Sequence, residues 1–174
     1  MFLPGIVRKV RDIAGGTTYS KIIPFGCENE RLKHCVEQMI KSMSYRGFFG
    51  VECIFDGDDY VFIEVNLRND ATFYTMYKAG FDIPQIYCES LLSKDASSIV
   101  QSPIHSIFAM SEISDFAFVF RKQISLCAWW KELKKSSCTY VWDSRDIRPA
   151  LSMWRTYLMN TVNNKWNKVW HINI

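Results

Sequence analysis

The chain has 174 residues, 48% of them apolar and 22% charged, which is close to the average of a soluble globular domain. Its net charge of +3 is too small and too dispersed to point to nucleic acid. No apolar run reaches the length of a membrane span, and Met1-Phe2-Leu3 meets Pro4-Gly5 and a basic cluster with no apolar core between, so no secretory leader is expected.

The basic cluster is Arg8-Lys9-Val10-Arg11. Gly15-Gly16 then leads into Thr17-Thr18-Tyr19-Ser20-Lys21-Ile22-Ile23, which reads as a structural glycine turn followed by a stretch carrying a surface lysine, Lys21. Glu28 to Ser44 is the clearest helix. Leu32, Val36, Met39, Ile40 and Met43 recur at helical spacing, Lys33, Glu37 and Lys41 occupy the remainder, and Gly47 ends it. The apolar stripe is expected to pack on the rear of the two strands that follow and to brace them.

Those strands run through Val51-Glu52-Cys53-Ile54-Phe55 and Tyr60-Val61-Phe62-Ile63-Glu64-Val65-Asn66, joined by Asp56-Gly57-Asp58-Asp59. Ala71 to Lys78 then suits a short helix closed by Gly80, and Asp82-Ile83-Pro84 a cap and first turn for a second helix ending at Leu92. Asn69 and Asp70 stand where side-chain caps are common, although Asp70 and Thr72 are also candidates for substrate contact.

Ser93 to Ser102 is polar and reads as a loop, which places a boundary between residues 1–94 and an aromatic-rich appendage, 95–174. In the appendage Phe116, Phe118 and Phe120 alternate as in a strand. A helix is expected from Leu126 to Lys135 with Trp129 and Trp130, and a strand from Thr139 to Trp142, after which Asp143-Ser144-Arg145-Asp146 leads into a final region with Trp154, Tyr157, Trp166 and Trp170. Aromatics interleaved with Arg145, Arg148, Arg155, Lys165 and Lys168 could stack on bases, but rings more often fill a small core or dock on a neighbour. Left uncovered, they would promote self-association. The cysteines 27, 35, 53, 88, 127 and 138 contain no C-x-x-C pair and read as reduced thiols of a cytoplasmic protein, and His34, His105 and His171 have no ligand-spaced companions.

The chemistry concentrates in the paired strands. Side chains alternate along a strand, so Glu52, Ile54 and Asp56 share one face, as do Tyr60, Phe62, Glu64 and Asn66 on the return. A three-residue turn at Gly57 to Asp59 would set Glu52 opposite Glu64 with Cβ atoms about 4.5–5.5 Å apart. Two carboxylates that close, among apolar neighbours, repel one another unless a cation lies between them. Magnesium prefers hard oxygen donors and shares them with substrate phosphates, which suits two glutamates and the Asn66 carbonyl. Arg68 would emerge beside them and could grip a phosphate or carboxylate through two hydrogen bonds. The plain alternative is a hairpin with one wet face. Phe62 beside Glu64 and Ile54 beside Glu52 argue that this face is covered.

Tyr45-Arg46-Gly47, Gly50 through Gly57 and Tyr60 through Arg68 together resemble the C-terminal lobe of an ATP-grasp enzyme, with the closest flavour that of carbamoyl-phosphate synthetase large chains, biotin carboxylases and related amino-acid ligases. The resemblance covers Arg8 to Leu92 and implies an α+β fold, a mainly antiparallel sheet with flanking helices. It implies that Glu52, Glu64 and Asn66 hold Mg²⁺ or Mn²⁺ and ATP, that Lys21 lies on a strand near substrate, and that Arg68 is the catalytic residue near the reacting phosphate or carboxylate. Where biotin carboxylases carry a Gln-Val-Glu-His type segment, this chain has Asn69-Asp70-Ala71-Thr72, so the resemblance leans toward carboxylate-amine ligases similar to D-aspartate ligase.

The implied reaction is ADP-forming: a carboxylate takes the γ-phosphate of ATP as an acyl phosphate, which an amine displaces. An ATP-grasp enzyme also has a first lobe, for which the length leaves no room, so the chain is expected to be a C-terminal piece of a larger enzyme, a truncated product, or half of a pair whose other chain supplies that lobe. The rival expectation is a non-catalytic interaction or assembly module of the same descent. A nucleic-acid module built on the tail ranks last.

Overall fold

A computed structural model describes residues 3–13, 16–25, 29–92 and 106–170, the last ten of these by their backbone alone. The fold is mixed α+β, with antiparallel-rich sheets and flanking helices. The chain divides into two compact units, residues 1–8 with 21–107 and residues 9–20 with 108–174. Lys9–Ser20 therefore belongs to the same unit as most of the aromatic region, a grouping that a boundary after residue 94 does not make.

A four-stranded sheet has the order β1-β2-β5-β6, formed by β1 (Gly5–Ile13), β2 (Gly16–Pro24), β5 (Ile107–Met110) and β6 (Ser136–Thr139). A separate two-stranded sheet pairs β3 (Gly50–Phe55) with β4 (Tyr60–Asn66), antiparallel. β5 and β6 run parallel.

In the first unit, α1 spans Glu30–Ser42; Glu28 lies outside the described residues. Val36 and Ile40, one turn apart, are its buried residues, and Met43 is largely exposed, so the buried stripe is narrower than the apolar spacing predicts. α1 is tied to the hairpin at its N-terminal end, where Tyr60 Oη donates to Asn29 Oδ1 (3.0 Å) and Arg31 pairs with Asp59 (2.8 Å). Ile54, Phe55, Val61, Phe62 and Ile63 remain about half exposed.

The base of the hairpin is better anchored. Tyr45 Oη donates to the Phe48 carbonyl (3.0 Å), and at 3.4 Å to that of Leu67, which clips the approach to β3 onto the exit of β4. Gly47, at φ +152°, is needed here, because an added Cβ would lie 2.6 Å from Tyr45 Oη. Phe48 then packs on Phe73 and Tyr87, with ring centroids 5.2 and 4.7 Å away. Those rings belong to α2 (Ala71–Lys78) and α3 (Ile83–Leu91), which with Met76, Ala79, Phe81 and Ile86 bury the unit's apolar surface. Both helices lie where their caps predict. Asp70 Oδ1 accepts from Thr72 N, and Asp82 Oδ1 from Gln85 N.

In the second unit the Phe116-Phe118-Phe120 stretch is helical and not a strand, a correction to the sequence reading. It forms α4 (Glu112–Asp115) and α5 (Ala117–Phe120). Phe116 stands edge-on to Phe120 four residues later, to Trp129 of α6 (Leu126–Lys135) and to Trp154 of α7 (Arg148–Trp170), at 5.1, 4.9 and 5.1 Å. Three partners on different helices reward a turn at this point more than an extended run would. The strand expected at Thr139–Trp142 is β6, shifted toward α6. It ends at Thr139; beyond it Tyr140 N is shared between the Met110 carbonyl and the buried Glu112 carboxylate, and the N–H groups of Val141 and Trp142 donate to Glu112. The side chains of Trp166, Trp170, Lys165 and Lys168 lie outside the described residues.

Candidate metal and nucleotide site on the hairpin

Glu52 and Glu64 are direct register partners across β3 and β4. The route to that pairing differs from the expected three-residue turn. Phe55 pairs with Tyr60, leaving Asp56–Asp59 as a four-residue connection, and a register shift between Glu52 and Cys53 restores Glu52 to Glu64. Phe62 thus pairs with Cys53 and Val61 with Ile54, so the idea that Phe62 shares a covered face with Glu64 is corrected. A bulge breaks the alternation, as it commonly does next to functional positions.

Asn66 follows two residues after Glu64, and its Nδ2 donates to Glu64 Oε1 (2.8 Å). This bond orients both groups and leaves the amide oxygen and the second carboxylate oxygen as acceptors. Glu52 and Asn66 are partly buried and Glu64 is exposed. The Cys53 thiol is pushed above its ordinary range by burial and then by the neighbouring Glu52 charge. Arg68 emerges two residues beyond β4, exposed to solvent. Lys21 lies on β2, next to the fully buried Ile22 and in the other sheet. Glu52, Glu64 and Asn66 are thus brought together, Arg68 lies near them in sequence, and Lys21 belongs to a different sheet.

The acidic connection has a structural task. Asp56 Oδ1 accepts from Asp59 N (2.9 Å) and Asp58 N (3.1 Å), and these backbone bonds hold its carboxyl below the usual carboxylate range. Asp59 pairs with Arg31. Among the described residues no group of three or more His, Cys, Asp or Glu side chains is arranged to hold a metal ion. The hairpin offers two carboxylates and an amide, all hard oxygen donors. That set fits magnesium as a partial shell, the kind completed by phosphate oxygens and water.

Beside the hairpin base lies an open concavity of about 270 Å³, lined by Asn69, Asp70, Asp82 and the rings of Phe73, Tyr74 and Tyr77. Asp70 connects it to the site: a Cβ placed on Gly50, the register partner of Asn66, would sit 3.3 Å from Asp70 Oδ2. The cap expected of Asp70 is present, and the Thr72 hydroxyl also donates to Asp70 Oδ1.

Sequence reasoning missed a buried charge cluster in the second unit. Arg11 Nε and Nη2 donate to the two oxygens of Asp115 (3.1 and 2.7 Å), and Thr18 Oγ1 donates to Asp115 Oδ1 (2.7 Å). Arg11 also lies over the Tyr19 ring, 4.6 Å from its centroid. Glu132 Oε2 comes within 2.7 Å of Arg11 Nη2, as an ion-pair contact without the alignment of a hydrogen bond. Burial works against the guanidinium charge, but the hydrogen bonds to Asp115 and the nearby carboxylate charges of Asp115 and Glu132 outweigh it and lift Arg11 further above its ordinary value. In the sequence Arg11 reads only as one member of a basic cluster. Its separation of 104 residues from Asp115 leaves no local trace of the pairing.

Compared with protein families, with curated proteins and with solved structures, the chain matches none. Among the described residues no helix is long and apolar enough to cross a membrane.

Proposed function

We propose that this chain is the metal- and ATP-binding portion of an ADP-forming carboxylate-amine ligase of the ATP-grasp type, acting through an acyl phosphate. The carrying observation is the cross-strand pairing of Glu52 with Glu64, together with the Asn66 bond to Glu64. Glu52, Glu64 and Asn66 would hold Mg²⁺ or Mn²⁺, and the bound ion would offset phosphate charge. Arg68 would stabilise charge on the transferring phosphoryl group, the electrostatic task that dominates such transfers. Lys21 is assigned to substrate on the resemblance alone. The substrates are ATP, a small carboxylate and an amine. A nucleotide-covering lobe would come in cis or in trans, so the isolated chain is expected to bind Mg²⁺-ATP weakly and not to ligate. The setting proposed is cytoplasmic, supported by the wide spacing of the cysteines.

Calorimetric titration of Mg²⁺-ATP into the chain and into Glu64→Gln, with Mg²⁺ alone and ATP alone as controls, tests this. Magnesium-dependent heat lost in the variant is expected. No magnesium-dependent binding by the parent chain would leave the ligase reading without its site.

A second reading, a non-catalytic interaction module, is favoured by one observation. Ile54 and Phe62, at 59% and 53% exposure, lie with Phe55, Val61 and Ile63 on a two-stranded ribbon that has no third strand among the described residues. Such a ribbon is marginal in water unless something covers it.

A further inference from the structure

The long helix α7 carries apolar residues on two faces, and the core of its unit uses one of them. On that face Ala150 is buried, and Trp154 and Tyr157 meet the Phe116 and Phe120 rings at 5.1 and 6.0 Å. The second face begins with Leu151, Arg155, Leu158 and Met159, whose spacings of three and four residues put them in one row. All four are exposed, Leu151 at 57% and Met159 at 53%. We propose that this row docks on the surface of an anionic lipid bilayer, with the helix lying in the plane of the headgroups.

Charge selects the occupant. α7 contains Arg148, Arg155, Lys165 and Lys168 and no acidic residue. Arg148 is engaged by Asp146 (2.8 Å), whereas Arg155, in the middle of the apolar row, has no ion pair among the described residues. A second copy docked symmetrically by the same row would bring Arg155 toward its own mate, with no carboxylate on either helix to receive it. An anionic bilayer meets both halves of the row. Lipid phosphates take the cations, and leucine and methionine enter the acyl boundary beneath them.

The helical register continues the row through Val162, Trp166 and Val169, three, four and three residues apart from Met159 onward. Tryptophan is a residue that settles at the headgroup boundary. Thr156 and Asn160 are exposed on the remaining side, and with the four cations they keep such a helix on a bilayer and not across it.

The test is flotation of the full chain with vesicles of phosphatidylcholine containing phosphatidylglycerol, against vesicles of phosphatidylcholine alone. Binding to the anionic vesicles only, falling as salt is raised, is expected. Arg155→Glu should weaken it by about fivefold or more. Leu151→Ser with Leu158→Ser should weaken it by about tenfold or more. The urea midpoint of each variant should stay near that of the parent, because these three side chains are exposed and make no core contact. Equal binding to neutral vesicles, binding to neither, or binding unchanged in both variants would overturn the proposal. Two further results would overturn it by giving the row another occupant. Tighter binding of poly-glutamate than of anionic vesicles, lost in the same variants, would assign it to an acidic protein. Association in sedimentation velocity that the leucine variant abolishes would assign it to a second copy.

Discussion

At the scale of single residues, polar groups in this chain divide between holding the backbone and waiting for a ligand. Glu112 belongs to the first kind, buried and accepting three backbone N–H groups from Tyr140 to Trp142. Glu112→Ala leaves the Val141 and Trp142 donors unsatisfied, while Tyr140 N keeps its bond to the Met110 carbonyl, and should cost about 3 kcal/mol in urea unfolding. Arg11→Met strands the Asp115 carboxylate, fully buried at 0% exposure, without its cation. A loss of about 3–5 kcal/mol is expected, as for other broken buried pairs. Asp56 gives a prediction in pH. Its carboxyl is held below its ordinary value by backbone N–H groups, so its contribution to the hairpin is complete above the unfolded-state pKa. That contribution disappears as the pH falls through the lowered folded value. An NMR titration should find the Asp56 carboxyl changing at lower pH than aspartate in a model peptide, and a midpoint at or above the peptide's would contradict the hydrogen bonding described.

At the scale of elements, the hairpin, α2, α3 and α6 are legible in the sequence because their signals are local. Asp70 and Asp82 cap, Pro84 sits in a first turn, and Ser125 accepts from Ala128 N at the start of α6. The bulge is not legible, because nothing in Phe62-Ile63-Glu64 distinguishes a three-residue turn from a four-residue connection followed by a register shift. Phe116, Phe118 and Phe120 mislead for a related reason. Residues two apart twice over are also four apart, so one pattern serves a strand face and a helical turn, and only Trp129 and Trp154 decide between them. The exposed apolar end of the hairpin carries its own expectation. The chain should associate reversibly in sedimentation velocity, and Ile54→Lys with Phe62→Lys should return it to monomer. Association unchanged in that variant would shift the cause away from the hairpin.

At the scale of the molecule, the α+β class is what the resemblance implies and what the structure has, whereas the grouping of Lys9–Ser20 with residues 108–174 has no signal in the sequence. That grouping places Tyr19 with Met110 and Trp129 in one apolar cluster and Arg11 beside Asp115, pairings made across long stretches of chain. All six tryptophans fall in this second unit. Tryptophan fluorescence should therefore report the unfolding shifts of Arg11→Met and Glu112→Ala directly.

The central claim is that the paired glutamates hold a metal-nucleotide, and Mn²⁺-ATP added to the ¹⁵N-labelled chain tests it most directly, because the ion broadens the amides nearest to it. Broadening centred on Glu52, Glu64 and Asn66, absent with Mg²⁺-ATP and lost in Glu64→Gln, is the expected result. Broadening centred on Asp56 to Asp59, or none in the hairpin at all, would contradict the account.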